Sequence, residues 1–559
     1  MNRVRLPTPA GFHDGDRIAL MPANRITLTI FSLIIAAAVS SGAWPAAAAS
    51  VFQYTVPVTT EKNLSAAFLW IPSEARQVRG VVMAGMTLME REFVKDPLIR
   101  KACADEQLAI VFLKCGLGAA DLQKVLGDFA KLSGYRELPM APLFFVGHSA
   151  GGPQAKARAI GMSSRCFGLM QYRGGVPGGQ ESVPPGVPAL MMVGQFDEFG
   201  GMMRDDAGRE AAWESGTEGL VAFRMQNERN LGSIVVEPGA GHFAWSERNA
   251  AYLALFLRKA AQARIPDWSI DAKEPVQCKE VDHQRGWLTA LAMKTPGEFH
   301  AAPHEEFKGG KSSAAWHFDK EMAEATVAYH AAFGRKDQFV KWTDAVWVDA
   351  GVRYFFTGLK WVGDGQTFEV HPEYAHAYPQ QQTGGPRWAQ SGQPAGHSKA
   401  PILVRQVSGP VIATAANTLR MHFDNLSPAT EGGRVTFMAS SEGDTEYRHT
   451  EQIGMMPRGF VGLKNGKDQS ITFEPLAPLR STNAPAELRA TSTAGLPVEF
   501  YVAHGPASIA DGKLRIAELP ARATFPIEVK VVAWQFGCGI EPLVKTAMPV
   551  EQTISIEAR

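Results

Sequence analysis

Three residues have the types and the chain order for acyl transfer: Ser149, Asp197 and His242. Ser149 sits in Gly147-His148-Ser149-Ala150-Gly151-Gly152, directly after the apolar run APLFFVG (141–147) and before PQAKARAIG. A strand, a glycine-flanked serine and a helix in succession describe a turn so tight that positions two residues from the serine must lack side chains. The hydroxyl then stands above the sheet edge, with backbone N–H groups nearby to receive an oxyanion. Asp197 follows the run ALMMVG (189–194), and His242 follows GSIVVEP (232–238) within GAGHF. All three fall at the carboxyl ends of strands, where open parallel sheets place their sites. There His242 would take the serine proton and pass it to the leaving group, while Asp197 fixes the imidazole tautomer and stabilises its charged form. Glu198 is the rival acid. Taken singly, each residue also fits a bland role: a serine turn, a capping aspartate, a loop histidine.

The elements needed to position these residues are readable as continuous apolar runs alternating with helix-like stretches. VRGVVMAG (78–85), LAIVFLKC (108–115) and FGLMQY (167–172) add strands to those above. FVKDPLIRKACADE (93–106), AADLQKVLGDFAKLSG (119–134) and ERNAAYLALFLRKAAQA (247–263) read as helices. Strands that are apolar throughout are expected when helices cover both faces of a sheet. Residues 50–265 therefore form an α/β domain. Residues 266–400 are mixed, with one clear helix (317–334), aromatic-bearing pieces and a polar Gly/Pro loop at 379–396. This region is expected to pack on the α/β domain. From 401 to 559 short β-rich pieces such as LPVEFYVAHGP (496–506) and FPIEVKVVAWQFG (525–537) predict a β-sandwich, with an immunoglobulin-like topology as one candidate. No catalytic set occurs there, so this region is expected to stand apart from the bond-breaking step.

The 559 residues carry 56 basic and 56 acidic side chains and are 45% hydrophobic, which excludes a disordered chain and gives no basic excess for nucleic acid. Residues 1–49 follow the grammar of export: Arg3, Arg5, Arg17 and Arg25, the uncharged run Ile26–Val39, then Ala46–Ala49 before Ser50. An uncleaved anchor is the competing interpretation. The expected product is secreted or periplasmic, without stable membrane insertion after processing. Cys103, Cys115, Cys166, Cys278 and Cys538 are scattered and include no C-x-x-C pair. His300 and His304 have Pro303 between them, against a helical metal pair. No metal or other cofactor is expected.

By these residues, roughly 60–265 resembles the α/β-hydrolase family, with GHSAGG as the elbow and Asp197 and His242 at the acid and base positions. The resemblance implies a mostly parallel sheet with flanking helices. It also implies one oxyanion N–H on Ala150 and a second in the loop after VVMAG, on Met86 or Thr87. The chain reads AGMTL there, with no HGGG-type run. The C-terminal stretch is loosely similar to immunoglobulin-like modules of exported bacterial enzymes. Thr87, His148, Phe243 and Trp245 are candidates to line the substrate, although Trp245 fits core packing equally well. The function expected is a serine hydrolase cleaving carboxylic esters, small or attached to a polymer, through an acyl-enzyme. A peptidase or amidase using the same triad, and a non-catalytic binding protein on a hydrolase scaffold, are the alternatives.

Overall fold

The computed structural model describes residues 51–59, 64–85, 88–114, 116–197, 211–291, 300–348, 353–356, 360–378, 392–429, 435–456, 462–480 and 484–558. The export segment 1–49, Met86, Thr87, Glu198 and most of the 379–396 loop lie outside the described residues.

The apolar runs pair into one eight-stranded sheet. Its strands are β1 (Tyr54–Thr59), β2 (Leu64–Trp70), β3 (Gly80–Gly85), β4 (Leu108–Leu113), β5 (Leu143–His148), β6 (Cys166–Tyr172), β7 (Ala189–Gly194) and β8 (Gly232–Glu237). They lie in the order β1-β2-β4-β3-β5-β6-β7-β8. β2 runs antiparallel to both its neighbours, and every other pairing is parallel. Helices α1 (Leu88–Lys95), α2 (Pro97–Asp105), α3 (Ala119–Ser133), α4 (Gly151–Gly161) and α5 (Ala211–Gln226) make the connections, and α6 (Glu247–Arg264) follows the last strand. Alternate side chains of each strand point to opposite faces. Val81 and Met83 thus join Leu126 and Phe129 of α3 and Phe223 of α5, whereas Val82 and Phe144 join Phe93 of α1 and Phe256 and Leu257 of α6. Both faces are covered, which is why the strands need no polar alternation.

Two local readings change. The stretch 93–106 is not one helix: Asp96 accepts hydrogen bonds from Leu98 N (2.8 Å) and Ile99 N (3.4 Å), and Pro97 opens α2. An Asp-Pro pair ends one helix and starts the next because proline cannot donate to the preceding turn. Helix α5 was hidden by Gly216 and Gly219, which weaken helix propensity but let the helix lie close to Val193, Ile234 and Val176.

The next segment packs on the outer edge of the sheet. Strand Ala314–His317 lies beside β8, with Ser233 Oγ donating to Trp316 O and Arg224 Nε to Ala314 O at 2.9 Å. Helix α7 (Lys320–His330) follows, and His330 Nε2 accepts Val236 N at 3.0 Å. Beyond it two sheets face one another. One joins Val346–Val348, Arg353–Phe355, Thr450–Met455, Thr436–Ser441 and Leu403–Ser408; the other joins Trp361–Val362, Thr367–Glu369, Thr418–Met421 and Val411–Ala415. Trp342, Phe356, Phe368, Leu419 and Phe437 fill the space between. The boundary expected at residue 400 is therefore corrected: strands from either side of it hydrogen-bond into the same sheets, because each sheet's apolar face is completed only by both.

A second β-module follows, with Leu479–Arg480, Val550–Glu557, Ile527–Trp534 and Glu499–His504 in one sheet. Along Ile527–Trp534 the faces divide. Val529 and Val531 enter this module's own core, while Val532 and Trp534 pack into the sandwich before it. Arg522 fastens the module to the α/β domain, meeting Glu137 at 2.8 Å and Gly134 O at 2.8 Å. No described helix is long and apolar enough to cross a membrane.

Two buried histidines, His317 and His330, and one half-buried, His449, give the assembly a pH window. His449 lies between Glu442 (3.6 Å) and Glu451 (2.7 Å). Burial alone would lower its pKa, but the two carboxylates override this and raise it to about 10. Its stabilisation is complete below the unfolded value of 6.5 and is lost as pH rises through about 10. Burial lowers His317 and His330 to about 3, so their stabilisation is complete above 6.5 and is lost as pH falls towards 3. The expected result is a Tm that peaks near neutral pH and falls on both sides. In His449→Gln the alkaline decline should flatten and the acid decline remain; an unchanged alkaline slope contradicts the ion-pair assignment.

Candidate active site

Strand β5 ends at His148, and the chain turns at Ser149 with a φ of 51°, a left-handed conformation unusual for a residue with a side chain. The turn is held by Ser149 N donating to Tyr172 O (3.1 Å) and Gly152 N to Ser149 O (3.0 Å). A Cβ on Gly147 would overlap the carbonyl of Gly151, so this glycine is required by close approach. The same holds for Gly174, across the turn on the segment after β6, where a Cβ would overlap Ser149 O. Ala150 is exposed at the N-cap of α4. Serine and helix start thus stand together at the carboxyl edge of the sheet.

Asp197 and His242 emerge from the parallel neighbours β7 and β8. They are 5% and 4% exposed. His242 Nδ1 lies 2.8 Å from Asp197 Oδ1 and 2.9 Å from Oδ2. A carboxylate only accepts, so Nδ1 carries the proton and Nε2 is left as the basic nitrogen. This is the tautomer a general base needs. The two loops are also stitched to each other: Gln195 N donates to Glu237 O (3.0 Å), Phe196 N to Ala240 O (2.9 Å) and Gly239 N to Gln195 Oε1 (2.6 Å).

A mostly parallel sheet in this strand order, broken by a serine elbow and followed by an acid–histidine pair on its last two strands, decides the fold. Residues 54–264 adopt the α/β-hydrolase fold. Solved structures similar to this chain include an α/β serine hydrolase homologue from Coxiella burnetii, at 16% identity over 37% of this chain and 97% of that one, with a TM-score of 0.26. A hyperthermophilic esterase from the archaeon Pyrobaculum calidifontis is similar at 13% identity over 38% and 87%, with a TM-score of 0.27. An α/β serine hydrolase without lid from Xanthomonas campestris is similar at 14% identity over 39% and 97%, with a TM-score of 0.26. No protein-family model and no curated protein matches the sequence.

Side-chain direction bears on the other candidate residues. His148 does not line a substrate surface: it is buried, its Nε2 lies 3.0 Å from His242 O, and its ring is 4.7 Å from the His242 ring. Burial, with the neighbouring His242 imidazole second, holds its pKa well below the usual range, so it is neutral. Phe243 is buried too, edge-on to His242 at 4.8 Å. Trp245 packs on Phe93 and Tyr172, and its indole donates to Asp96 Oδ2 at 3.1 Å, so packing is its role. Met86 and Thr87 lie outside the described residues. Among the described residues no group of three or more His, Cys, Asp or Glu side chains is placed to hold a metal.

Several supports were missed from sequence. Glu90 of α1 is buried, and its Oε1 accepts the backbone N–H of His148 at 2.9 Å, bracing the elbow from below. Two arginines from the sandwich, Arg405 and Arg448, reach the acid and base loops. The region after 401 thus lies against the site in space, its side chains bonding to loop atoms beside His242 and Asp197. Nothing local in sequence marks such contacts; only the Gly147-x-Ser149-x-Gly151 spacing at the elbow offered a signal, and Gly174 had none.

The elbow yields a direct test. Gly174→Ala should displace Ser149 and cost about 1–3 kcal/mol through overpacking, with lower turnover. Gly161→Ala, where nothing lies within 4 Å of the added carbon, should leave Tm unchanged or slightly raised. Equal Tm and turnover for the two variants contradicts the close approach.

Proposed function

We propose that the protein is a serine hydrolase that cleaves carboxylic esters through an acyl-enzyme, with Ser149 as nucleophile, His242 as general base and then acid, and Asp197 as its orienting carboxylate. The observation that carries this reading is the Nδ1–Asp197 hydrogen bond of His242 at the same sheet edge as a serine held at φ 51°. In the first step His242 Nε2 takes the Ser149 proton as Oγ attacks the ester carbonyl. The backbone N–H of Ala150, at the start of α4, is suited to the resulting oxyanion, with the second donor assigned to the Met86–Thr87 loop. Collapse expels the alcohol with the proton from His242, and water repeats the sequence to release the acid. Residues 1–49 are read as an export signal, so the site works outside the cytoplasm. The module after residue 470 is read as immunoglobulin-like. Its support is the strand order, with Glu499–His504, Ile527–Trp534 and Val550–Glu557 adjacent in one sheet and Ala486–Glu487, Lys513–Ile516 and Ala507–Ala510 in another.

Ser149→Ala should lower turnover of a small soluble ester by about 10⁴-fold or more while far-UV circular dichroism is unchanged. Asp197→Asn should lose a similar order because the ring then favours the wrong tautomer. Ester turnover retained in a folded Ser149→Ala variant would remove the nucleophile assignment and with it the mechanism.

A further inference from the structure

Besides their two backbone hydrogen bonds, the acid and base loops share one side-chain acceptor, and that acceptor is held by a residue 253 positions later in the chain. Gln195 Oε1 accepts Gly239 N at 2.6 Å and Arg448 Nη1 at 3.0 Å. Both neighbours can only donate, so the amide oxygen must face them. Gln195 is two residues before Asp197, and Gly239 is three before His242. The backbone of the sandwich loop lies directly on this junction, since a Cβ on Gly239 would overlap His449 O.

Arg448 is itself braced on every side. Its Nε is 2.8 Å from Asp337 Oδ1, close enough to pair by charge although not aligned as a hydrogen bond. Its guanidinium lies 5.6 Å from the centre of the Phe333 ring. Its backbone N donates to Lys336 O (3.0 Å), and its carbonyl accepts Gln338 Nε2 (2.7 Å). A planar guanidinium held this way is a rigid donor, which a flexible lysine ammonium is not. Arg405, on the strand Leu403–Ser408, donates to Phe243 O on the other side of His242.

We propose that Arg448 is a positioning residue of the hydrolase site: through Gln195 it sets the spacing of the Asp197 and His242 loops. The β-sandwich is then a working part of the catalytic centre and not an appended module. This rests on the serine-hydrolase reading. The consequence is kinetic. A small misplacement of a general base lowers the chemical step by up to about 100-fold, with little effect on ground-state binding.

The test compares wild type, Arg448→Ala, Arg448→Lys and Gln195→Met in the full-length chain. The readouts are kcat and KM on a small ester, and amide hydrogen exchange across residues 238–243. In Arg448→Ala, kcat should fall by about 10–100-fold with KM within about twofold, and added guanidinium ion should restore part of the loss. Arg448→Lys, which keeps the charge beside Asp337 without the planar fork, should recover only part of the rate. Exchange at Gly239 should rise in Arg448→Ala and in Gln195→Met. If Arg448→Ala does not fold, Gln195→Met carries the same expectation, having lost the acceptor while keeping the size. Wild-type kcat together with wild-type exchange in either folded variant overturns the positioning role. A wild type inert to every ester contradicts the hydrolase reading, and the exchange measurement then decides the role of Arg448 alone.

Discussion

The carboxylate of Glu237 is buried at the end of β8, beneath the loops that carry Asp197 and His242, and much of the local architecture follows from how its charge is met. Arg173, equally buried, pairs with it from the end of β6. Asn249 of α6 donates to the same oxygen at 3.0 Å and to Tyr172 Oη at 2.9 Å. Tyr172 in turn donates to Ala244 O, and Tyr329 of α7 to Asn249 Oδ1. Burial alone would raise the Glu237 pKa; Arg173 first, then His449 and Arg248, hold it below the ordinary value. Two buried charges cost several kcal/mol each unless paired, and losing one partner costs about 3–5 kcal/mol. The pair therefore fixes the ends of β6 and β8, α6 and α7 relative to each other, which is the frame on which the His242 loop rests.

That frame explains why the α/β-hydrolase domain, the middle segment and the sandwich share interfaces. The hub's groups come from three regions: the charges of Arg173 and Glu237 from the sheet, the neutral Tyr329 donor from α7, and the charge of His449 from the sandwich. The guanidinium of Arg173 also lies 4.7 Å from the centre of the Tyr172 ring, a face that partly compensates the nitrogens lacking a hydrogen-bond partner among the described residues. Unlike an apolar contact, such a network fixes register as well as proximity.

The sequence made legible those features whose signal is local. Ser149, Asp197 and His242 each follow an apolar run, and the elbow requires glycine at Gly147 whatever lies far away. Six of the eight strands, β3 to β8, were readable within a residue or two for the same reason, whereas β1 and β2 were not read. Side-chain direction was not: His148, Phe243 and Trp245 are neighbours of Ser149 and His242 along the chain, yet His148 and Phe243 are buried and the partly exposed Trp245 packs on Phe93 and Tyr172. Partners separated by hundreds of residues were equally invisible. The pairing of Arg353–Phe355 with Thr450–Met455 crosses the break expected at 400, and the bonds from Arg448 and Arg405 have no periodicity to betray them. Helix α5 escaped because its glycines serve packing against propensity.

The central claim is that Ser149 is a nucleophile activated by the His242–Asp197 pair. The most direct measurement is to treat the folded protein with a serine-reactive phosphonate, record the intact mass and map the modified residue by peptide sequencing. The account predicts one adduct per chain, on the peptide that contains Ser149. A folded chain that takes no adduct, or carries it on another serine with Ser149 unmodified, would contradict it.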